Sequence, residues 1–171
     1  YRTVLSRNVL GFVNWHWHTE LQFCLATRGE VVFSTQEGQH TLPPGEGIFI
    51  SSGQLHMAKA LDQPDSEYIC LDFSPKLLSS FSGSVFDSRY LLPYLGAPQL
   101  AVRPLSPREP RQQEILAAIQ EVETLCAAAS FGYELRVLSL LNRMWLALIQ
   151  DCPAHKTRSA KGQGTTVVQT I

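Results

Sequence analysis

At 171 residues with 44% hydrophobic content, the chain can bury one real core, which bounds it to a single domain with room for an appendage. Its 14 basic and 15 acidic residues leave a formal net charge of −1, so the chain lacks the positive surface that phosphate backbones require. No apolar run nears the roughly 20 residues of a membrane span, and the N-terminus lacks the apolar core of a signal peptide.

A cytoplasmic protein is expected. Cys24, Cys70, Cys126 and Cys152 form no Cys-x-x-Cys pair and read as buried thiols. The start at Tyr1, without methionine, points to a piece of a longer chain.

From residue 3 to about 74 the chain alternates short β-type runs with turn signals. "LQFCLA", "EVVFST", "GIFIS" and "EYICLDF" are the runs; "TRGE", "QEGQ", "PPGEG", "SSGQ" and "DQPDS" are the breaks. Many short strands at even spacing predict a sandwich or small barrel, not βαβ units. Within residues 14–25, side chains two apart share a face. Asn14, His16, His18, Glu20, Gln22 and Cys24 point one way, and Trp15, Trp17, Thr19, Leu21, Phe23 and Leu25 the other. The second set predicts a buried face with the tryptophans anchoring the strand from behind. The first faces either solvent or a polar cavity.

Beyond residue 74 the texture becomes helical. Ser74 and Pro75 have the character of an N-cap and a first helical residue. Over residues 111–129, Ile115, Ile119, Val122 and Cys126 recur at helical spacing. Over 133–150 one stripe runs Val137, Leu141, Met144 and Leu148. A second, heptad-like stripe runs Leu135, Leu138, Asn142, Trp145 and Ile149, with its one polar residue at the centre. Both helices could simply cap the barrel; the alternative is that one stripe packs on it while the other forms a homodimer interface. The expected organisation is a β-barrel over 1–74, a helical segment over 75–155 and a linker over 156–171.

Two spaced motifs carry a family resemblance. Residues 11–29 read G-x4-H-x-H-x3-Q-x6-G through Gly11, His16, His18, Gln22 and Gly29; residues 45–56 read G-x5-S-x-G-x2-H through Gly45, Ser51, Gly53 and His56. Together they resemble the two motifs of the cupin superfamily, whose fold is a double-stranded β-helix, a jelly-roll-like barrel. The resemblance implies that His16, His18, residue 22 and His56 converge at the barrel mouth, where a cupin enzyme binds a divalent metal such as Zn, Ni, Fe or Mn. Gln22 departs from the customary glutamate there, which removes one negative charge; Glu20 shares its face and could compensate.

The order of parts resembles the N-terminal effector-binding and dimerisation domain of AraC-family transcriptional regulators: a cupin with "HWHTELQ", then "LDFSPKLLSSF", two helices and a linker. That resemblance implies a bacterial homodimer whose barrel binds a sugar, an aromatic compound or another metabolite through His16, His18, Glu20, Gln22, Cys24 and His56. It also implies DNA binding only through a helix-turn-helix domain outside this chain, dimerisation through Leu135, Leu138, Asn142, Trp145 and Ile149, and no catalytic residue.

The alternative is a stand-alone metal-dependent cupin enzyme, a dioxygenase or isomerase. Ser51 and Ser52 near His56 lack a nucleophile elbow. His40 is expected in a turn and His155 near the linker, both as surface, and Arg103, Arg108 and Arg111 in a solvated loop.

Overall fold

The computed structural model describes residues 1–8, 10–61 and 65–152, and it turns the alternating runs into two antiparallel sheets. The strands are β1 Arg2–Val4, β2 Phe12–His16, β3 Leu21–Arg28, β4 Val31–Thr35, β5 Gly38–Leu42, β6 Gly47–Ile50, β7 His56–Ala60, β8 Glu67–Phe73 and β9 Val102–Leu105. Sheet A runs β1-β8-β3-β6-β9 and sheet B runs β2-β7-β4-β5. Consecutive strands fall on opposite sheets at several crossings, as a double-stranded β-helix requires, and the barrel interior lies between the sheets. The helices are α1 Lys76–Ser79, α2 Leu92–Leu95, α3 Pro110–Ala128 and α4 Tyr133–Gln150.

The alternation in β3 explains the layering. Leu21, Phe23 and Leu25 face the helices and join a core with Phe49, Ile119 and Met144, while Cys24 and Ala26 face the barrel interior with Phe33, Ile48 and Cys70. Both faces of β3 are therefore buried. Burying a Phe or Leu fully is worth roughly 1.5–3 kcal/mol each, so sheet A is the most heavily stabilised part of the molecule. Gly47 permits this packing: a Cβ there would collide with the Cys24 carbonyl oxygen and press on Leu116 of α3.

The ninth strand was not expected. β9 comes from within the stretch read as helical and pairs with β6, from Gly47↔Leu105 to Ile50↔Val102. A barrel sheet is thus completed by residues beyond 74.

The two long helices lie where the periodicity puts them. On α3, Ile115, Ile119 and Val122 are buried, but Cys126 is exposed at the end of the stripe, contrary to its reading as a buried thiol. On α4, Leu141, Met144 and Leu148 are buried. The second stripe divides in two. Trp145 and Ile149 are buried within the chain, because the segment 86–95 folds back over the C-terminal half of α4. The Trp145 indole N–H donates to the Tyr90 carbonyl at 2.7 Å, and its ring meets Tyr94 edge-on at 6.4 Å. Leu135 is 74% exposed, and the exposed Asn142 turns its amide back to the Leu138 carbonyl at 2.8 Å. Only the N-terminal part of this stripe presents free apolar surface.

α1 opens behind Ser74, whose Oγ accepts the Lys76 N–H at 3.3 Å. His40 sits half-buried on the edge strand β5, opposite Phe33, not in a turn. His155 and the stretch read as a linker, 156–171, lie outside the described residues.

Candidate functional site

The opening strand is not continuous through the histidines. β2 ends at His16, residues 17–20 form a connection, and β3 starts at Leu21. A bulge between Val13 and His16 re-aims the strand end, and the register then sets His16 directly opposite His56, the first residue of β7. The connection is tied down by the second motif. Gly53, in the left-handed region at φ 77, donates its N–H to the His18 carbonyl at 2.8 Å. Glycine spacing in one motif thereby fixes a histidine in the other.

Three imidazoles meet here. Ring centroids lie 4.2 Å apart for His16 and His56, 5.2 Å for His18 and His56, and 5.7 Å for His16 and His18. Each Nδ1 sits against a backbone carbonyl: His16 on Asn14 at 2.7 Å, His18 on Glu20 at 3.2 Å and His56 on Gln54 at 2.9 Å. A carbonyl oxygen only accepts, so each Nδ1 carries a proton and Nε2 is the nitrogen left to act as a ligand. The candidate ligating atoms of the three residues lie within 4.8 Å of one another. His18 Nε2 and His56 Nε2 are buried without a hydrogen-bond partner. Burial above all, aided by the neighbouring His16 and His18, lowers the His56 pKa to about 4, so this ring is neutral at physiological pH. Converging ring nitrogens on backbone-anchored imidazoles are a donor set that suits a divalent metal.

The other expected residues divide. Gln22 is buried on β3, but its Nε2 donates to the Cys70 Sγ at 2.9 Å while its Oε1 has no partner. Glu20 lies on the Nδ1 side of His18, with a carboxylate oxygen 3.8 Å from that nitrogen. It stands behind a ring, away from the Nε2 nitrogens. Cys24 is fully buried in the barrel, its Sγ 3.5 Å from the Cys70 Sγ.

The tryptophans correct the reading of the strand. Trp15 is 47% and Trp17 65% exposed: Trp15 lies within the bulge between Val13 and His16, and Trp17 lies beyond the end of β2, so the strict alternation that would bury them does not hold. Ser51 is buried, its N–H on the Ala101 carbonyl and its Oγ on the Leu95 carbonyl. Arg103 reaches Asp151 at 3.4 Å, so it is paired rather than free in a loop.

Two neighbours were missed by sequence reasoning. Cys70 and Asp72, on β8, stand opposite Cys24 and Gln22 in the β3 register, and the Asp72 charge acts on His56 to favour its protonated form. Strand pairing between distant segments has no local signal beyond the "EYICLDF" alternation itself.

A family model for the AraC-like ligand binding domain matches residues 8–143. YdeC of Bacillus subtilis (strain 168), an uncharacterized HTH-type transcriptional regulator, is 32% identical over 149 residues, covering 87% of this chain and 50% of that protein. The chain thus spans about half the length of this relative. Among solved structures, fatty-acid-bound ToxT of Vibrio cholerae is 9% identical over 93% of this chain and 53% of its own, with a TM-score of 0.47. FeII HppE is 17% identical over 42% of this chain and 39% of its own, with a TM-score of 0.35. Among the described residues, no helix is long and apolar enough to cross a membrane.

Proposed function

The chain belongs to the AraC-like ligand-binding domain family, and on that premise we propose that it is the effector-sensing part of a DNA-binding transcriptional regulator. The effector binds at the barrel mouth on His16, His18 and His56, and the domain acts by binding rather than by turnover. The observation that carries this reading is the group of three imidazoles whose ligating nitrogens lie within 4.8 Å of one another. They would hold a zinc, nickel, iron or manganese ion, which when bound supplies a Lewis-acid anchor for an oxygen donor of the effector. Gln22 and Cys24 border that space from β3, and Glu20 steadies His18 from behind.

DNA contact belongs to a helix-turn-helix region outside this chain, and two copies of the chain pair through the exposed N-terminal part of α4, centred on Leu135. An effector shifts the regulator only by its differential affinity for two arrangements, a coupling of roughly 1–3 kcal/mol.

Titration calorimetry of the chelator-stripped protein with zinc or nickel chloride tests the site. Wild type binds; His16→Ala and His56→Ala lose that binding. A wild type that takes up neither ion, or variants that bind equally well, would overturn the metal-binding site. An oxygen-uptake screen of the metal-loaded protein separates the enzyme alternative, which predicts turnover.

A further inference from the structure

We propose that Cys24 and Cys70 are a redox-closable dithiol inside the barrel, converted to an intramolecular disulfide by hydrogen peroxide or a similarly small peroxide.

The geometry comes from the strand ladder. Cys24 and Cys70 are direct partners in the β3–β8 register. Both backbone groups of Cys70 are engaged on its other side: its N–H donates to the Tyr1 carbonyl and its carbonyl accepts from the Tyr1 nitrogen, each at 2.8 Å. Cys24 and Cys70 are therefore a non-hydrogen-bonded antiparallel pair, the kind whose Cα atoms stand closest, at about 4.5 Å. That separation falls in the range a disulfide spans, about 4.4–6.8 Å. The two sulfurs already lie 3.5 Å apart on one face of the sheet, both fully buried. Cys126 is exposed on α3, and Cys152 lies in the helical core, so neither belongs to this pair.

The surroundings distinguish the two sulfurs. Cys70 Sγ accepts the Gln22 amide N–H at 2.9 Å and lies 3.5 and 3.6 Å from the two Asp72 carboxylate oxygens. Of the two sulfurs it is the one with polar side chains, Gln22 and Asp72, against it. Cys70 is attacked first. Its sulfur bonds to one peroxide oxygen, the O–O bond breaks, and the thiol proton passes by way of Asp72 to the departing hydroxide, leaving a sulfenic acid and water. The Cys24 sulfur then bonds to the Cys70 sulfur, the S–O bond breaks, and the hydroxide leaves as a second water with the Cys24 proton. Two thiols and one hydrogen peroxide give one disulfide and two waters, with two electrons passing from sulfur to peroxide.

Closure draws the sulfurs from 3.5 Å to about 2.05 Å and so withdraws Cys70 from the Gln22 amide. Gln22 is then free to turn its amide toward the histidines. This consequence rests on the reading of the histidines as a metal-binding site; the disulfide does not.

The test treats the reduced full chain and its Cys126→Ser form with equimolar hydrogen peroxide, then denatures, alkylates and maps peptides by mass. The expected product is a Cys24–Cys70 cross-link that dithiothreitol reverses, absent in Cys70→Ser. In Cys24→Ser, dimedone-trapped sulfenic acid on Cys70 rises about tenfold for want of its resolving partner. Recovery of both cysteines alkylated, or oxidised singly without a cross-link in wild type, overturns the dithiol. Zinc titration of the oxidised and reduced forms tests the coupling: oxidation tightens binding about tenfold, as changes behind a ligand set do. Equal or weaker affinity overturns the link to Gln22, whereas no zinc binding in either form overturns the histidine site and leaves the cross-link result standing.

Discussion

Sheets A and B have the same antiparallel construction and opposite duties. Sheet A is covered by the barrel interior on one face and by α3 and α4 on the other, so β3 contributes buried residues from both sides. The core that α3 and α4 share with sheet A contains no residue of sheet B: Gln39, Thr41 and Lys59 of sheet B stand in solvent, and its strand ends supply His16 and His56. One sheet holds the fold, and the other offers ends whose polar groups are left without partners. A site can be built on sheet B because its histidines are not needed to complete a core.

The sharpest way to break that contrast is to cut each sheet where it is densest. Phe49 is fully buried between Phe23 at 4.8 Å and Trp145 at 6.2 Å, ring centroid to centroid. Phe49→Ala is expected to cost about 3–5 kcal/mol in urea unfolding, the range for deleting a large ring from a packed core. A loss under about 1 kcal/mol would mean that the two-sided core is not what stabilises sheet A.

The next effect belongs to sheet B and needs added metal. With zinc at about a hundred times its dissociation constant, wild type gains about 2.7 kcal/mol, and His56→Ala gains none. Thermal melts with zinc and with chelator compare the two proteins. An equal gain in both would move the metal elsewhere.

A smaller effect is expected at the joint between β9 and the end of α4. Asp151 accepts the Gln112 amide at 2.8 Å and faces Arg103, which together hold its pKa below the ordinary carboxylate value of 3.8. A depressed carboxylate contributes stability above its unfolded pKa and loses it as the pH falls through the folded one. Asp151→Asn should therefore flatten the loss of stability below about pH 4, by no more than about 1 kcal/mol because the pair is partly solvated. Urea midpoints measured at neutral pH and through the acid range decide it.

The smallest effect is at Trp17. Its 65% exposure predicts a change within about 0.5 kcal/mol for Trp17→Ala, whereas an anchoring ring would cost several times that.

These residues also mark how much was legible in the chain. The strand runs, the two long helices and the glycine-spaced histidine motifs were readable because each is a local pattern of spacing. Gly53 shows why the motif works: its left-handed backbone carries an N–H to His18 from a segment some thirty-five residues away in the chain. The outward tryptophans were misread because a bulge between Val13 and His16 and a strand end at His16 undo the burial that strict periodicity implies. Trp145 and Ile149 were misread because a helical stripe records only that a partner exists. Both are buried within the chain, Trp145 against Tyr90 and Tyr94 of the segment 86–95.

By itself the sequence determined the double-stranded barrel, its helical layer and the three histidines, since period, turn chemistry and spacing act over a few residues. Only the tertiary structure decided that Glu20 stands behind its ring, that Gln22 is tied to Cys70, and that Cys70 faces Cys24. The last two depend on the register between β3 and β8, whose pairing is set by burial across the whole sheet, and the first on the connection that follows β2.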